Sequence, residues 1–98
     1  MNITMSRNGS ELVVELEGRL DTVSAPELEE QLEPALSGVE KLVLDLAELS
    51  YVSSAGLRVM LAATQTMEEQ GEMIVRNVAP DVMEVFLMTG FADILTIE

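Results

Sequence analysis

The side chains best placed for chemistry lie in Tyr51-Val52-Ser53-Ser54-Ala55-Gly56-Leu57, where two adjacent hydroxyls stand between an apolar run and a helical pattern. A serine at such a junction has three uses. It can cap the helix by accepting from a free backbone N–H, and a serine before a helix usually does only that. It can act as a nucleophile, which requires a base to take its proton. It can also carry a phosphoryl group, which adds about −1.5 to −2 charges and three acceptor oxygens.

The nucleophile is poorly supplied. The chain has no His and no Cys. Ser-His-Asp triads, thiol nucleophiles and ordinary zinc sites are therefore absent. The segment lacks Gly-x-Ser-x-Gly, and Lys41 falls at the far end of its strand from the serines. Phosphorylation suits the position better. Free N–H groups and the dipole at a helix N-terminus favour a phosphate. The modified domain should stay folded while its outer surface changes. Gly56, in the first turn, lets another chain approach the backbone closely. The reading is a non-catalytic one, with no cofactor and no metal.

Other candidates read more plainly. Glu27, Glu29, Glu30 and Glu33 form a solvated helix face, and no Asp-x-Asp-x-Asp-Gly loop points to calcium. Asp21 and Asp45 are isolated turn and strand-end acids. No Walker-type loop exists for a nucleotide. Val82, Met83, Val85, Phe86, Leu87 and Met88 are apolar on almost every side. They fill the core or form an adaptable contact surface, core filling being the plainer use.

Charge narrows the partners. Eighteen acids against five Lys and Arg leave a net charge of −13. Phosphate backbones and anionic membrane surfaces would be repelled, so neither nucleic acid nor membrane is expected as a partner. One Tyr, two Phe and no Trp leave little to stack on bases. No apolar run nears the ~20 residues of a membrane span, and the first residues show no signal pattern. Lack of Cys fits a reducing compartment. A cytoplasmic protein is the expectation.

The elements that must position the serines follow from periodicity. Residues 2–6 and 11–17 read as strands joined at Asn8-Gly9, a hairpin signal. Gly18 to Thr22 reads as a connector. Ser24-Ala25-Pro26-Glu27 looks like a capping box opening a helix. Pro34 should kink or end that helix, with Gly38 as its stop. Residues 40–46 form a nearly continuous apolar strand, as in a sheet covered on both faces. A helix from about Ser54 to Gln70 ends at Gly71. A strand at 73–76, a helix near 80–88 ended by Gly90, and a last strand at 94–97 complete the chain. The order is strand, strand, helix, strand, helix, strand, helix, strand. It predicts one α/β domain over residues 1–98, with a mixed β-sheet of about five strands packed by three or more helices.

These residues resemble a known family. Leu44-Asp45-Leu46-x-x-Leu49-x-Tyr51-Val52-Ser53-Ser54-Ala55-Gly56-Leu57 is similar to the signature of STAS domains in bacterial anti-sigma factor antagonists. Gly18-Arg19-Leu20-Asp21 and Thr89-Gly90-Phe91 with Ile94 resemble flanking segments. The resemblance implies a partner-switching module. Unphosphorylated, it would bind an anti-sigma factor serine/threonine kinase and so free a sigma factor. Phosphorylation would break the complex, and a PP2C-type phosphatase would reset it. Ser54 would be the acceptor, with Ser53 the second choice. Asp21, Ser53, Ser54, Ala55, Gly56, Leu57 and Arg58 would form the partner-binding surface. Many members read Asp-Ser-Ser-Gly or Asp-Ser-Thr-Gly here, whereas this chain has Ser53 in place of the acid and Ala55 before Gly56. A runner-up is an unphosphorylated STAS-like scaffold subunit of a transport or stress-sensing assembly. A small ester-cleaving enzyme using Ser54 is a weaker third.

Overall fold

The computed structural model describes residues 1–98. The hairpin forms as expected, from β1 (Asn2–Asn8) and β2 (Glu11–Leu20), antiparallel, with Asn8 opposite Glu11. Gly9 has a φ of +64° and is the first central residue of a two-residue turn. That position fits a type II′ turn, whose twist matches the strands it joins. Two crossovers follow. Helix α1 (Ser24–Ala35) leads into β3 (Lys41–Val52), and α2 (Ser54–Gln70) leads into β4 (Glu72–Arg76). β3 is parallel to both β2 and β4, and the sheet order is β1-β2-β3-β4. Helix α3 (Pro80–Thr89) and the one-turn α4 (Phe91–Ile94) close the chain.

The central strands alternate in the way that builds a core. Leu12, Val14 and Leu16 of β2 and Leu42, Leu44 and Leu46 of β3 are buried with Val75 of β4. They join Leu28 and Leu32 of α1, Met60, Ala63 and Met67 of α2, and Val82 and Phe86 of α3 in one cluster. Burying each such Leu stabilises the fold by about 1.5–3 kcal/mol relative to exposure. Every long helix packs on this face. Across the other face runs the row Ser6, Val13, Val43, Ile74. Val43 and Ile74 are buried there but stand apart from the main cluster. On the same face Lys41 lies between Glu11 and Glu72, and Arg76 pairs with Asp45. The continuous apolar run of β3 thus has one side packed under the helices and Val43 buried on the side that bears these ion pairs.

Three elements differ from expectation. β2 continues through Gly18-Arg19 to Leu20, and β3 runs to Val52 instead of ending at residue 46. Two register shifts explain why. Glu11 faces Lys41 but Leu20 faces Val52, so β3 carries two extra residues. Leu46 and Leu49, three apart, can then both be buried. That spacing breaks the two-residue period by which a strand is recognised. Ser50 sits at the second shift and its hydroxyl donates to the Gly18 carbonyl. α1 ends at Ala35, just after Pro34, as expected, because the ring removes the bond to the Glu30 carbonyl and crowds it. The expected fifth strand does not form. Residues 91–94 are helical, because Gly90, at φ +82°, closes α3 and restarts the chain as α4. Only Ile97 reaches the sheet, by a single bridge to Val75. The sheet therefore has four strands.

Candidate functional site

β2 and β3 are parallel neighbours, so the loops that follow them emerge side by side. The last strand pair is Leu20 with Val52, and the Ser53 amide donates to the Leu20 carbonyl at 2.8 Å. Residues 19–24 and 51–58, some thirty positions apart in sequence, meet at this end of the sheet. Carboxyl ends of parallel strands are where such folds present ligands.

The two serines have different fates. Ser53 is the N-cap of α2, with extended backbone (φ −94°, ψ 174°). Its Oγ accepts from the Gly56 amide at 3.3 Å, and its carbonyl accepts from Leu57 at 2.9 Å. Ser54 is the first helical residue and is exposed. The hydroxyl of Ser54 takes no part in the capping bonds. The amides of Ser54 and Ala55 lie in the first turn, where no helical carbonyl precedes them. The turn contains no acid. Arg58 is exposed one turn further on, on the same side as Ser54.

Ala55 is half-buried, while Gly56 and Leu57 are buried. A Cβ on Gly56 would lie 2.6 Å and 2.8 Å from Leu20 Cγ and Cδ2, and 3.0 Å from a Val52 methyl. The close approach anticipated at Gly56 is thus made by this chain's own Leu20, not by another chain. Leu57 belongs to the core cluster. Of the expected surface, Ser54, Arg58 and part of Asp21 face outward, whereas Gly56 and Leu57 support it from beneath.

Asp21 is a cap. Its Oδ1 accepts from the amides of Val23 and Ser24, both at 3.0 Å, while the Asp21 amide donates to Ser24 Oγ at 2.9 Å. The Ser24 hydroxyl also donates to the Arg19 carbonyl at 2.7 Å. This is a reciprocal capping arrangement, three residues upstream of the expected Ser24–Glu27 box. The backbone N–H of Ser24, then that of Val23, hold the Asp21 carboxyl below its ordinary 3.8. Asp45 lies elsewhere, on the sheet face. Burial alone would raise it, but the Ala47 amide, Asn77 and Arg76 outweigh that and keep it below 3.8.

Three side chains at this end of the sheet, Arg19, Tyr51 and Val23, were not among the expected partner-binding residues. Arg19 faces Tyr51 across the β2–β3 pairing, with its guanidinium carbon 4.2 Å from the ring centroid, a cation–π contact. Tyr51 remains 39% exposed and Val23 86% exposed. The register alone pairs Arg19 with Tyr51. An apolar residue inside the Asp21–Ser24 cap was the one local hint of Val23.

The model of the STAS domain matches residues 2–98. BtrV of Bordetella bronchiseptica, assigned provisionally as an anti-sigma factor antagonist, is 38% identical over 99 residues, covering 99% of this chain and 85% of that protein. The anti-sigma-B factor antagonist of Bacillus subtilis is 30% identical over 98 residues, covering 99% and 90%. Among solved structures, the fold superposes on the anti-sigma factor antagonist SpoIIAA in its unphosphorylated form with a TM-score of 0.86 at 21% identity, covering 99% of this chain and 88% of that one. On the phosphorylated form of SpoIIAA from Bacillus the TM-score is 0.77 at 20% identity, covering 99% and 91%. At those identities the structural likeness speaks to fold. No helix of this chain is long and apolar enough to cross a membrane.

Proposed function

This chain belongs to the STAS domain family, and we propose that residues 1–98 act as one phosphorylation-switched anti-sigma factor antagonist domain in the cytoplasm. Its relatives are named anti-sigma factor antagonists. The observation that carries the switch is the division of labour between the serines. Ser53 spends its hydroxyl on the cap, and Ser54 leaves its hydroxyl exposed at the first helical position. Ser54 is therefore the acceptor. Modifying Ser53 would sacrifice a cap worth about 1 kcal/mol.

Unphosphorylated, the domain presents Val23, Tyr51 and the neutral Ser54, with Arg58 and Asp21 nearby, to an anti-sigma factor serine/threonine kinase. Binding would occupy the kinase and release its sigma factor. A phosphate on Ser54 would meet the free amides of Ser54 and Ala55 and lie one turn from Arg58, so the helix end tolerates it. The kinase would instead meet a bulky dianion. A PP2C-type phosphatase would restore the starting surface. The domain itself needs no catalytic group. Its chemistry is done on it by the partners.

The test is to incubate the domain with an anti-sigma factor kinase and ATP and map the product. Phosphate should appear on Ser54. Ser54→Asp should keep the native circular dichroism and bind the kinase at least about tenfold more weakly, roughly 1.4 kcal/mol. Binding of that variant at wild-type strength would remove charge as the cause of release.

A further inference from the structure

Five cations stand against eighteen acids in this chain, and all but one of the cations have a partner. Lys41 lies between Glu11 and Glu72, and Arg76 pairs with Asp45. Arg7 donates to the carbonyls of Gly9 and Ser37. Arg19 stacks on Tyr51. Arg58 makes no ion pair and no ring contact. Its surroundings explain that. The helical positions three and four away from it are Ser54, Ala55, Leu61 and Ala62, none of them an acid. Glu29 and Glu33 of α1 line the groove between the two helices with Val59 and Ala62, and neither pairs with Arg58. Asp21, on the adjoining junction, gives its carboxylate to the amides of Val23 and Ser24. Along the helix, the one neighbour that can acquire negative charge is the Ser54 hydroxyl.

α2 is also charged against its own dipole. α1, α3 and α4 each carry an acid in the first turn, namely Glu27, Asp81 and Asp93. α2 carries no acid there and no base in its last turn. Its last turn instead holds Glu68 and Glu69, at the end where acids are unfavourable. An anion at the N-terminus is the favourable charge that this helix alone lacks.

Resting on Ser54 as the acceptor, we propose that Arg58 binds the Ser54 phosphate within the same chain, so that phosphorylation stabilises α2 instead of being merely tolerated by it. The anion lies four residues N-terminal to the cation, the better orientation for such a pair. A guanidinium can hold two phosphate oxygens at once. The helix-start amides of Ser54 and Ala55 remain as donors to the phosphate. Modification then changes this surface at two positions. It places a dianion on Ser54 and draws the Arg58 guanidinium onto it. A kinase in contact with Arg58 loses that cation as the phosphate is gained.

A phosphate installed on Ser54 during synthesis of the full chain tests this without the kinase. Added negative charge on a chain of net charge −13 would by itself lower stability, so the sign of the change is decisive. The melting temperature should rise by about 4 °C or more on modification, and the rise should shrink with added salt. Arg58 is exposed, so Arg58→Gln leaves the unmodified fold intact. That variant should lose most of the rise, and Arg58→Lys should regain part of it. Phosphorus NMR reads the contact itself. The second ionisation of the phosphate, ordinarily near pH 6, should fall about half a pH unit lower in the wild type than in Arg58→Gln. A melting temperature that drops on modification overturns the proposal. So does a rise that Arg58→Gln keeps in full, or the same phosphate titration in both chains. Absence of phosphate on Ser54 after kinase treatment would instead sink the proposed function and leave these readings unaffected.

Discussion

Two strand-to-helix junctions stand next to each other in this molecule, one after β2 and one after β3. Both belong to parallel strands, and both begin a helix that crosses the core face. At the first, Asp21 supplies a permanent negative charge, and Ser24 returns the bond in a closed arrangement. At the second, a neutral Ser53 caps, no acid stands in the first turn, and the next hydroxyl is free. The first junction has already filled its anion position with its own carboxylate. The second keeps that position open. A helix N-terminus left without an anion, beside an exposed hydroxyl, is suited to receive one by modification. On the proposed function, a phosphate on Ser54 would therefore alter the surface without altering the fold.

Variants that disturb the junctions should separate support from signal. The largest effect is expected at Gly56. Gly56→Ala forces a methyl into Leu20 and Val52, and thermal or urea unfolding should show about 1–3 kcal/mol lost. Ser53→Ala should cost about 0.5–2 kcal/mol by the same measurement, through loss of the cap. Ser54→Ala should stay within about 0.5 kcal/mol of wild type while abolishing phosphate incorporation. Equal destabilisation by the two Ser variants would erase the division of labour. The smallest effect concerns pH. Asp21 and Asp45 both have folded-state values below 3.8. Their carboxylates stabilise the fold fully above the unfolded value and lose that contribution as pH falls through the lower folded values. Stability from these two acids should be flat from neutrality to about pH 5 and then decline toward acid. Asp21→Asn keeps an acceptor at the cap and should blunt that decline.

Much of the site was legible because its signals are local. The apolar run before Ser53, the helical spacing after it and Gly56 in the first turn placed both hydroxyls at a strand–helix junction. What could not be read was which hydroxyl is free, because Ser53 and Ser54 are both acceptable caps. Asp21 was read as a lone turn acid, since its partners are backbone amides that leave no mark in side-chain spacing. The expected capping box began three residues late for the same reason. The extension of β3 to Val52 was hidden by the two register shifts, which make Leu46 and Leu49 look out of phase.

Periodicity and composition were enough for the order of the elements as far as α3, for most of their apolar faces, and for the absence of imidazole and thiol chemistry, because they depend on no partner. Tertiary structure decided that Leu20 fills the space above Gly56, that Arg19 lies over Tyr51, and that β1 keeps an open edge. Each of those depends on the register between strands whose residues are distant in the chain. Register is set by packing the whole sheet against its helices, and no local pattern contains it.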